Sequence, residues 1–333
     1  MAQKAGVSVT TVSRVINNSK PVSSELRERV ERVIKETGFA PSEVARGLVH
    51  RKTKLIGLMI PKVANTFFSQ LIEGAEQVAK ANGFNILLTV SHMDMEKEVD
   101  YLSIFKDRQL DGIIFSVSQF TNLHRQFFNE FEIPTVFLGQ QIKETPYPYI
   151  LIDNFKASYE ATKYLINKGH EKIGILKGPD YDISTGYERY RGYQQALQDA
   201  GLAVHDDWVF SDFHDINNGY RGMKTIMEQD ELPTAMFACS DVMAVGAINY
   251  LQDHGFRIPQ DMSIIGFDDA ELSTMFRPKL TTIRQDSFEM GAEAMRCLIE
   301  QIVEKKTEKK EIIFPHQLIE RESTAETTNY LRR

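Results

Sequence analysis

Cysteine is nearly absent from this 333-residue chain: Cys239 and Cys297 are the two, far apart and without CxxC spacing. That excludes a disulfide scaffold or a cysteine-rich zinc module and fits a reducing compartment. No apolar run reaches the roughly 18–20 residues that span a bilayer. The opening MAQKAGVSVTTVSRV lacks the apolar core of an export signal. A cytoplasmic location without membrane contact is the expectation. Signatures of catalysis are missing too: no GxGxxG follows a strand-like run, and neither GxxxxGK[ST] nor GxSxG occurs. The eight histidines show no HExxH or other ligand spacing, and His92 and His170 read as surface histidines. Nothing anchors an enzyme, a metal site or a cofactor.

What the chain does contain is ordinary globular material, 42% hydrophobic and 26% charged, long enough for two or three domains. Its charge is unevenly placed. Residues 1–54 carry eleven Lys and Arg against five Asp and Glu, a net of +6 inside a chain whose total is −7. A basic head on an acidic body suggests that the head meets a polyanion.

Within the head, apolar residues fall at helical spacing. Val9, Val12 and Val15 form a row three apart, with Ser8 placed as N-cap. Leu26, Val30, Val33 and Ile34 share one face of a second helix, from about Ser23 to Thr37, which Gly38 stops. A helical stub ends at Ala5 and Gly6, and PSEVARGLVHRK, from Pro41, gives a third short helical pattern. After Lys54 strand-length runs take over: LIGLMI (55–60), NILLTV (85–90), GIIFSV (112–117), TVFLG (135–139), YILI (149–152), KIGIL (172–176), AMFAC (235–239) and SIIGF (263–267). IIFPHQLIERES (312–323) is a final strand-like segment. Amphipathic stretches at 67–82, 96–108, 156–169, 187–201 and 241–255 separate most of them, with turns at Gly83, Gly169, Gly201 and Gly255. Apolar strands alternating with helices predict parallel sheets covered on both faces. Roughly 270 residues of such units are too many for one small sheet, so two doubly wound subdomains with a cleft between them are expected.

The segment AGVSVTTVSRVIN (5–17) puts a glycine turn before a short helix with a polar N-terminus, as a helix-turn-helix requires. Val9, Thr10 and Arg14 would then face the major groove, with Arg14 pairing with guanine. Thr11 and Ser13 would hold phosphates. AGVSVTTVSRVINNS, followed by VSSELRERVERVIKETGFAPSEVARGL, resembles the DNA-binding head of the LacI/GalR family of bacterial transcription regulators. The resemblance continues through LIGLMIPKVANTFFSQLIEGAE, DGIIF, HEKIGIL, ERYRGYQQAL, PTAMFACSDVMAVGA, IPQDMSIIGFDDAELSTMFRPKLTTIRQD and MGAEAM, in family order.

That resemblance implies an α/β protein with a helix-turn-helix head (1–40), a hinge helix and linker (41–54), and a two-lobed body (55–330). The body would be periplasmic-binding-protein-like, built of doubly wound parallel sheets. Its N-lobe would hold about 55–153 and 286–311, its C-lobe about 154–285 and 312–326. Ser8, Val9, Thr10, Thr11, Ser13, Arg14 and Asn17 would contact DNA. The hinge would fold on DNA and wedge Leu48 into the minor groove, with Ala45 and Arg46 in the same short helix. An effector would sit between the lobes. Phe67 and Phe68 would offer ring faces, Arg189 would grip oxygens and Asp268 would accept from hydroxyls. Ser240, Asp241 and Gln285 would complete the ring, with His214 as a wall and Ser116 and Gly139 at strand ends. Gly139 stands where some sugar binders carry a polar residue.

The implied function is a ligand-responsive repressor of carbohydrate-utilisation genes, a homodimer on a pseudo-palindromic operator. A sugar or sugar phosphate is the expected effector, and a nucleobase stays open. The ending NYLRR has no heptad repeat, so a dimer rather than a tetramer is expected. Two alternatives remain. QDSFEMGAEAMRCL (285–298) is similar to the helix with which catabolite-control members bind a serine-phosphorylated phosphocarrier protein. Arg296 would pair with the phosphate beside Glu289, although in most members this helix serves the dimer interface. The other alternative is a solute-binding protein without DNA function, which the basic head argues against. Members usually begin several residues earlier, and Met1 stands where a valine normally precedes the alanine. A valine codon read as the start, or a trimmed chain, would leave the first helix without its N-cap. A form extended upstream is then expected to bind operator more tightly.

Overall fold

The computed structural model describes residues 1–17, 20–38, 53–63, 66–140, 142, 145–305 and 308–327, in two units, Met1–Thr53 and Lys54–Arg333. In the first unit, helices run over Ala2–Ala5, Val9–Asn17 and Ser24–Thr37. Gly6, at φ 62°, turns the chain after the first, a left-handed conformation that favours glycine. Arg29 donates to the Ala5 carbonyl at 3.0 Å and ties that turn to the last helix. Ala5, Val12, Val15, Val30 and Val33 make a small core. Val9 leaves the expected apolar row and is 76% exposed. Each three-residue step falls about 60° short of a full helical turn, so only Val12 and Val15 can lie over the core. Ser8 caps the second helix, its Oγ accepting the Thr11 N–H at 3.1 Å. Ser23 precedes the third without a side-chain cap bond.

The second unit holds twelve strands among its described residues, numbered in chain order. β1 (Leu55–Ile60), β2 (Asn85–Val90), β3 (Gly112–Phe115), β4 (Thr135–Leu138), β5 (Tyr149–Ile152) and β11 (Glu311–Phe314) build the first sheet. β6 (Ile173–Lys177), β7 (Val209–Ser211), β8 (Ala235–Ala238), β9 (Ser263–Asp268), β10 (Thr281–Gln285) and β12 (His316–Ile319) build the second. Their orders are β2-β1-β3-β4-β5-β11 and β7-β6-β8-β9-β10-β12, parallel except that β12 runs against β10. The pleat explains the unbroken apolar runs. Ile56, Leu58 and Ile60 of β1 face one cluster with Leu71 and Ala75, while Met59 faces another with Leu102 and Phe105. Both sides of the sheet are covered, so both parities must be apolar.

Among the elements that escape the periodicity are β7, β10 and the helices Asn122–Glu130 and Ile216–Met227. β10 reads TTIRQ, and its buried threonines are satisfied by hydrogen bonds rather than by apolar contact, Thr282 Oγ1 donating to Asp241 at 2.6 Å. The last lobe boundary also moves. Ile312 pairs with Ile150 in the first sheet, so the chain changes lobes at Pro315, not between 311 and 312. Proline, without an N–H, ends the β11 ladder there. The other crossings are at Asp153 and Asp286, each capping the helix that follows through Lys156 N–H (2.9 Å) and Glu289 N–H (3.0 Å).

Helices Thr66–Ala81 and Ser287–Glu304 cross at backbone contact. A Cβ on Gly291 would lie 2.0 Å from the Leu71 carbonyl oxygen, so only glycine fits. His170 is a second correction: it is buried, not on the surface. Its ring lies 2.9 Å from Thr234 Oγ1 and 3.1 Å from Ser263 Oγ, pinning the start of the second sheet, and burial pushes its pKa down.

Candidate functional site

Two surfaces bear on function. On the head, Val9, Thr10, Ser13 and Arg14 are all exposed, and their spacing places them on one side of the Val9–Asn17 helix, opposite Val12 and Val15. An exposed valine at a helix N-terminus, beside threonine and arginine, can meet a thymine methyl while its neighbours reach polar base edges. Thr11 lies beside the N-cap. It is half-buried, and its Oγ1 lies 2.9 Å from Ser8 Oγ, so both hydroxyls serve the cap. The Asn17 side chain lies outside the described residues, as do Ala45, Arg46 and Leu48.

In the body, the carboxyl ends of both sheets enclose a cleft of about 880 Å³, counting space open to solvent. Ligands of doubly wound sheets bind there, where strand order reverses and consecutive loops part. Phe67, Phe68, Ser116, Gly139, Arg189, His214, Ser240, Asp268 and Gln285 all line it. The two phenyl rings meet edge to face, centroids 5.1 Å apart. Gly139 sits at φ 77°, which explains the glycine by backbone need; the polar group at that strand end is its neighbour Gln140.

Arg189 is held from several sides. Its Nε donates to Asn154 Oδ1 at 2.8 Å and its Nη1 to the Cys239 carbonyl at 2.6 Å. The guanidinium lies over the Phe267 ring at 3.5 Å and 4.0 Å from Asp268. Burial lowers its pKa against the pull of nearby carboxylates. Asp268, at φ 120°, accepts from Gln285 Nε2 at 2.7 Å. Burial pushes its carboxyl up to about 6, although Arg189 and Gln285 pull the other way. A group so shifted beside a cation in a cleft is a functional candidate.

Asp241 departs from its expected place and does not line the cleft. Its carboxylate takes the Thr282 hydroxyl at 2.6 Å and the Ala270 N–H at 2.8 Å, holding the loop after β9. Burial, then the charge of Asp268, raises its pKa. Ser240 lines the cleft while capping the helix Asp241–Asp253 through Met243 N–H at 3.3 Å.

Sequence reasoning missed Lys62, Gln140, Asn154, Asp182 and Thr185, which line the same cleft. Gln140 bridges the lobes: its Nε2 donates to Asp182 at 2.8 Å, and its Oε1 accepts from Ser184 at 3.2 Å. Lys62 and Asp215 approach to 3.8 Å from opposite lobes. Gln140 and Asn154 could have been found, since each stands two residues past a strand that was legible. Asp182 and Thr185 could not. Asp182 caps, and Thr185 lies within, a π-helical stretch, Ile183–Glu188, a geometry frequent at functional sites but without a sequence signature.

Among known proteins, the pattern of bacterial regulatory proteins, lacI family, matches residues 1–42, and a periplasmic binding protein-like domain matches residues 162–324. The HTH-type transcriptional regulator RegA of Clostridium saccharobutylicum is 35% identical over 97% of this chain and 98% of its own. Among solved structures, the lac repressor dimer bound to operator and the anti-inducer ONPF has a TM-score of 0.85 at 25% identity, covering 97% of each chain. A complex of the transcriptional regulator CelR with cellobiose has a TM-score of 0.74 at 30% identity, covering 97% of this chain and 98% of that one.

Proposed function

The chain belongs to the lacI family of bacterial regulatory proteins, and from that premise we propose that it is a homodimeric repressor whose effector is a neutral sugar. As a transcription regulator of this family it binds DNA and responds to a ligand. The finer reading has the exposed side of the Val9–Asn17 helix reading each operator half-site while the cleft senses the sugar.

One observation carries the effector class: the ionic groups lining the cleft are already matched within the protein. Arg189 is engaged by Asn154, the Cys239 carbonyl and Asp268, and Lys62 by Asp215. Asp182 is held by Gln140 and Thr185. A phosphate would have to compete with Asp215 for Lys62 and with Asp268 for Arg189, whereas hydroxyls can share these groups. The Phe67 and Phe68 rings suit the C–H face of a pyranose. CelR, similar in fold to this chain, is a regulator whose structure holds cellobiose.

The catabolite-control alternative is the second reading. Arg296 is exposed, donates to Glu293 at 2.7 Å and also bridges to Glu289, exposed pairs that a phosphoserine would exchange for its own. A solute-binding protein would have no use for the exposed helix face of the head.

Ligand need bias the two lobe arrangements by only about 1–3 kcal/mol to switch DNA affinity. The test is a thermal-shift comparison of D-glucose, D-ribose, cellobiose and glucose 6-phosphate, followed by operator binding with and without the best ligand. A neutral sugar should raise the melting temperature by mass action and change operator affinity. A larger shift with glucose 6-phosphate than with every neutral sugar sinks the assignment. Arg189→Ala should abolish the response while leaving operator binding intact.

A further inference from the structure

The cleft contains a relay that no resemblance assigns. Asp182 is buried, and its carboxylate accepts the Thr185 N–H at 3.0 Å, the Thr185 Oγ1–H at 2.7 Å and Gln140 Nε2 at 2.8 Å. Burial raises the Asp182 pKa, and these three donors oppose the shift; with Asp182 ionised the hydroxyl proton is committed to it, and Thr185 Oγ1 then accepts on its other side. That side faces His214 Nε2 at 3.2 Å. The imidazole proton must therefore sit on Nε2, which leaves Nδ1 a bare lone pair. His214 lines the cleft, and its Nδ1 is buried with no partner. A buried acceptor without a donor is expensive to keep unless something supplies one.

We propose that His214 is a specificity-determining residue that accepts a hydrogen bond from a hydroxyl or N–H of the effector, with Asp182 and Thr185 as positioning residues that fix its tautomer. The inference rests on the cleft being the effector site. A neutral ring is required, since an imidazolium would donate from both nitrogens and reject a donor. Burial, Arg189 and Lys62 together push the His214 pKa down to about 3, so the lone pair persists across the physiological range. The role differs from that of an aromatic wall, which a phenyl ring fills equally well. His214 makes the cleft discriminate against a ligand that is missing one donor.

Two arms test this on the full chain. In the first, the protein carries [15N]histidine, and His214→Phe assigns the His214 signals without any ligand. Nδ1 should be unprotonated and Nε2 protonated, unchanged down to pH 5, and Thr185→Val should mix the tautomers. A proton on Nδ1, or titration near the ordinary pKa, overturns the proposal. In the second arm, D-glucose, D-ribose, cellobiose and adenosine are titrated into the parent, His214→Phe and Thr185→Val. Whichever ligand binds the parent should bind His214→Phe about tenfold more weakly. Its analogue lacking the donating hydroxyl should bind parent and variant alike. Equal affinity of parent and His214→Phe for the intact ligand overturns the proposal. If adenosine binds and every sugar fails, the sugar assignment falls, while His214→Phe still decides this one. Thr185→Val, nearly isosteric, carries the comparison should the phenylalanine variant fold poorly.

Discussion

Replacing Asp268 with asparagine should make the body more stable at neutral pH and deaf to its effector. Asparagine keeps the shape and the oxygen that accepts from Gln285 Nε2 at 2.7 Å, and it tolerates the left-handed φ of 120° better than most residues. What it removes is a buried charge. The carboxyl is pushed from its ordinary 3.8 to about 6 by burial, and the attraction of Arg189 at 4.0 Å is already part of that balance. Two units at 1.36 kcal/mol each come to about 3 kcal/mol. The raised pKa fixes the sign. The protonated form is favoured in the folded state, so this contribution is complete below pH 3.8 and lost as pH rises through 6. At pH 7.5 the charged carboxylate therefore costs stability that asparagine does not, while at pH 4 the two proteins should nearly coincide. Scanning calorimetry at both values is the assay, and about 3 kcal/mol corresponds to roughly 6–12 °C at neutral pH. An asparagine variant less stable than the parent at pH 7.5, or equally stabilised at both pH values, would refute the reasoning. Retention of a destabilising carboxylate is what a ligand-reading role demands.

Gly291→Ala should lower the stability of the body by about 1–3 kcal/mol despite the helix-favouring substitution, because the new methyl meets the Leu71 carbonyl oxygen; parental denaturant stability would contradict that crossing. Gln140→Ala should free the segment Asp182–Glu188, which loses the 2.8 and 3.2 Å bonds from the other lobe, and amide exchange there should quicken; unchanged protection would show that the bridge holds nothing. Arg14→Lys should lose about 1–3 kcal/mol of discrimination at one base pair of each half-site, read by binding to single-substituted operators; a uniform loss across all sequences would move Arg14 to the backbone. Leu48→Ala should weaken operator binding while leaving effector affinity intact, and an equal effect on both would remove it from the hinge.

Much of the body was legible because its strands are buried on both faces. A run such as LIGLMI in β1 must be apolar at every position, and that is visible without a partner strand. The head's core was legible through Val12, Val15, Val30 and Val33, which repeat near helical spacing. Arg189, Asp268 and Gln285 were traced to the cleft by resemblance, and they line it together.

Tertiary structure decided the rest, because polar burial leaves no periodic trace. β10 is built on threonines whose hydroxyls find Asp241 and Thr324 only after folding. The same bonds take Asp241 out of the cleft although it adjoins Ser240. Asp182, Thr185 and His214 are separated by up to 32 residues, and nothing in their spacing predicts a relay; the parallel pairing of β6 with β7 brings the loops that follow them together. Composition and periodicity thus determine which residues must avoid water. Which lone pair is left without a donor depends on where three loops meet, and only the folded chain settles that.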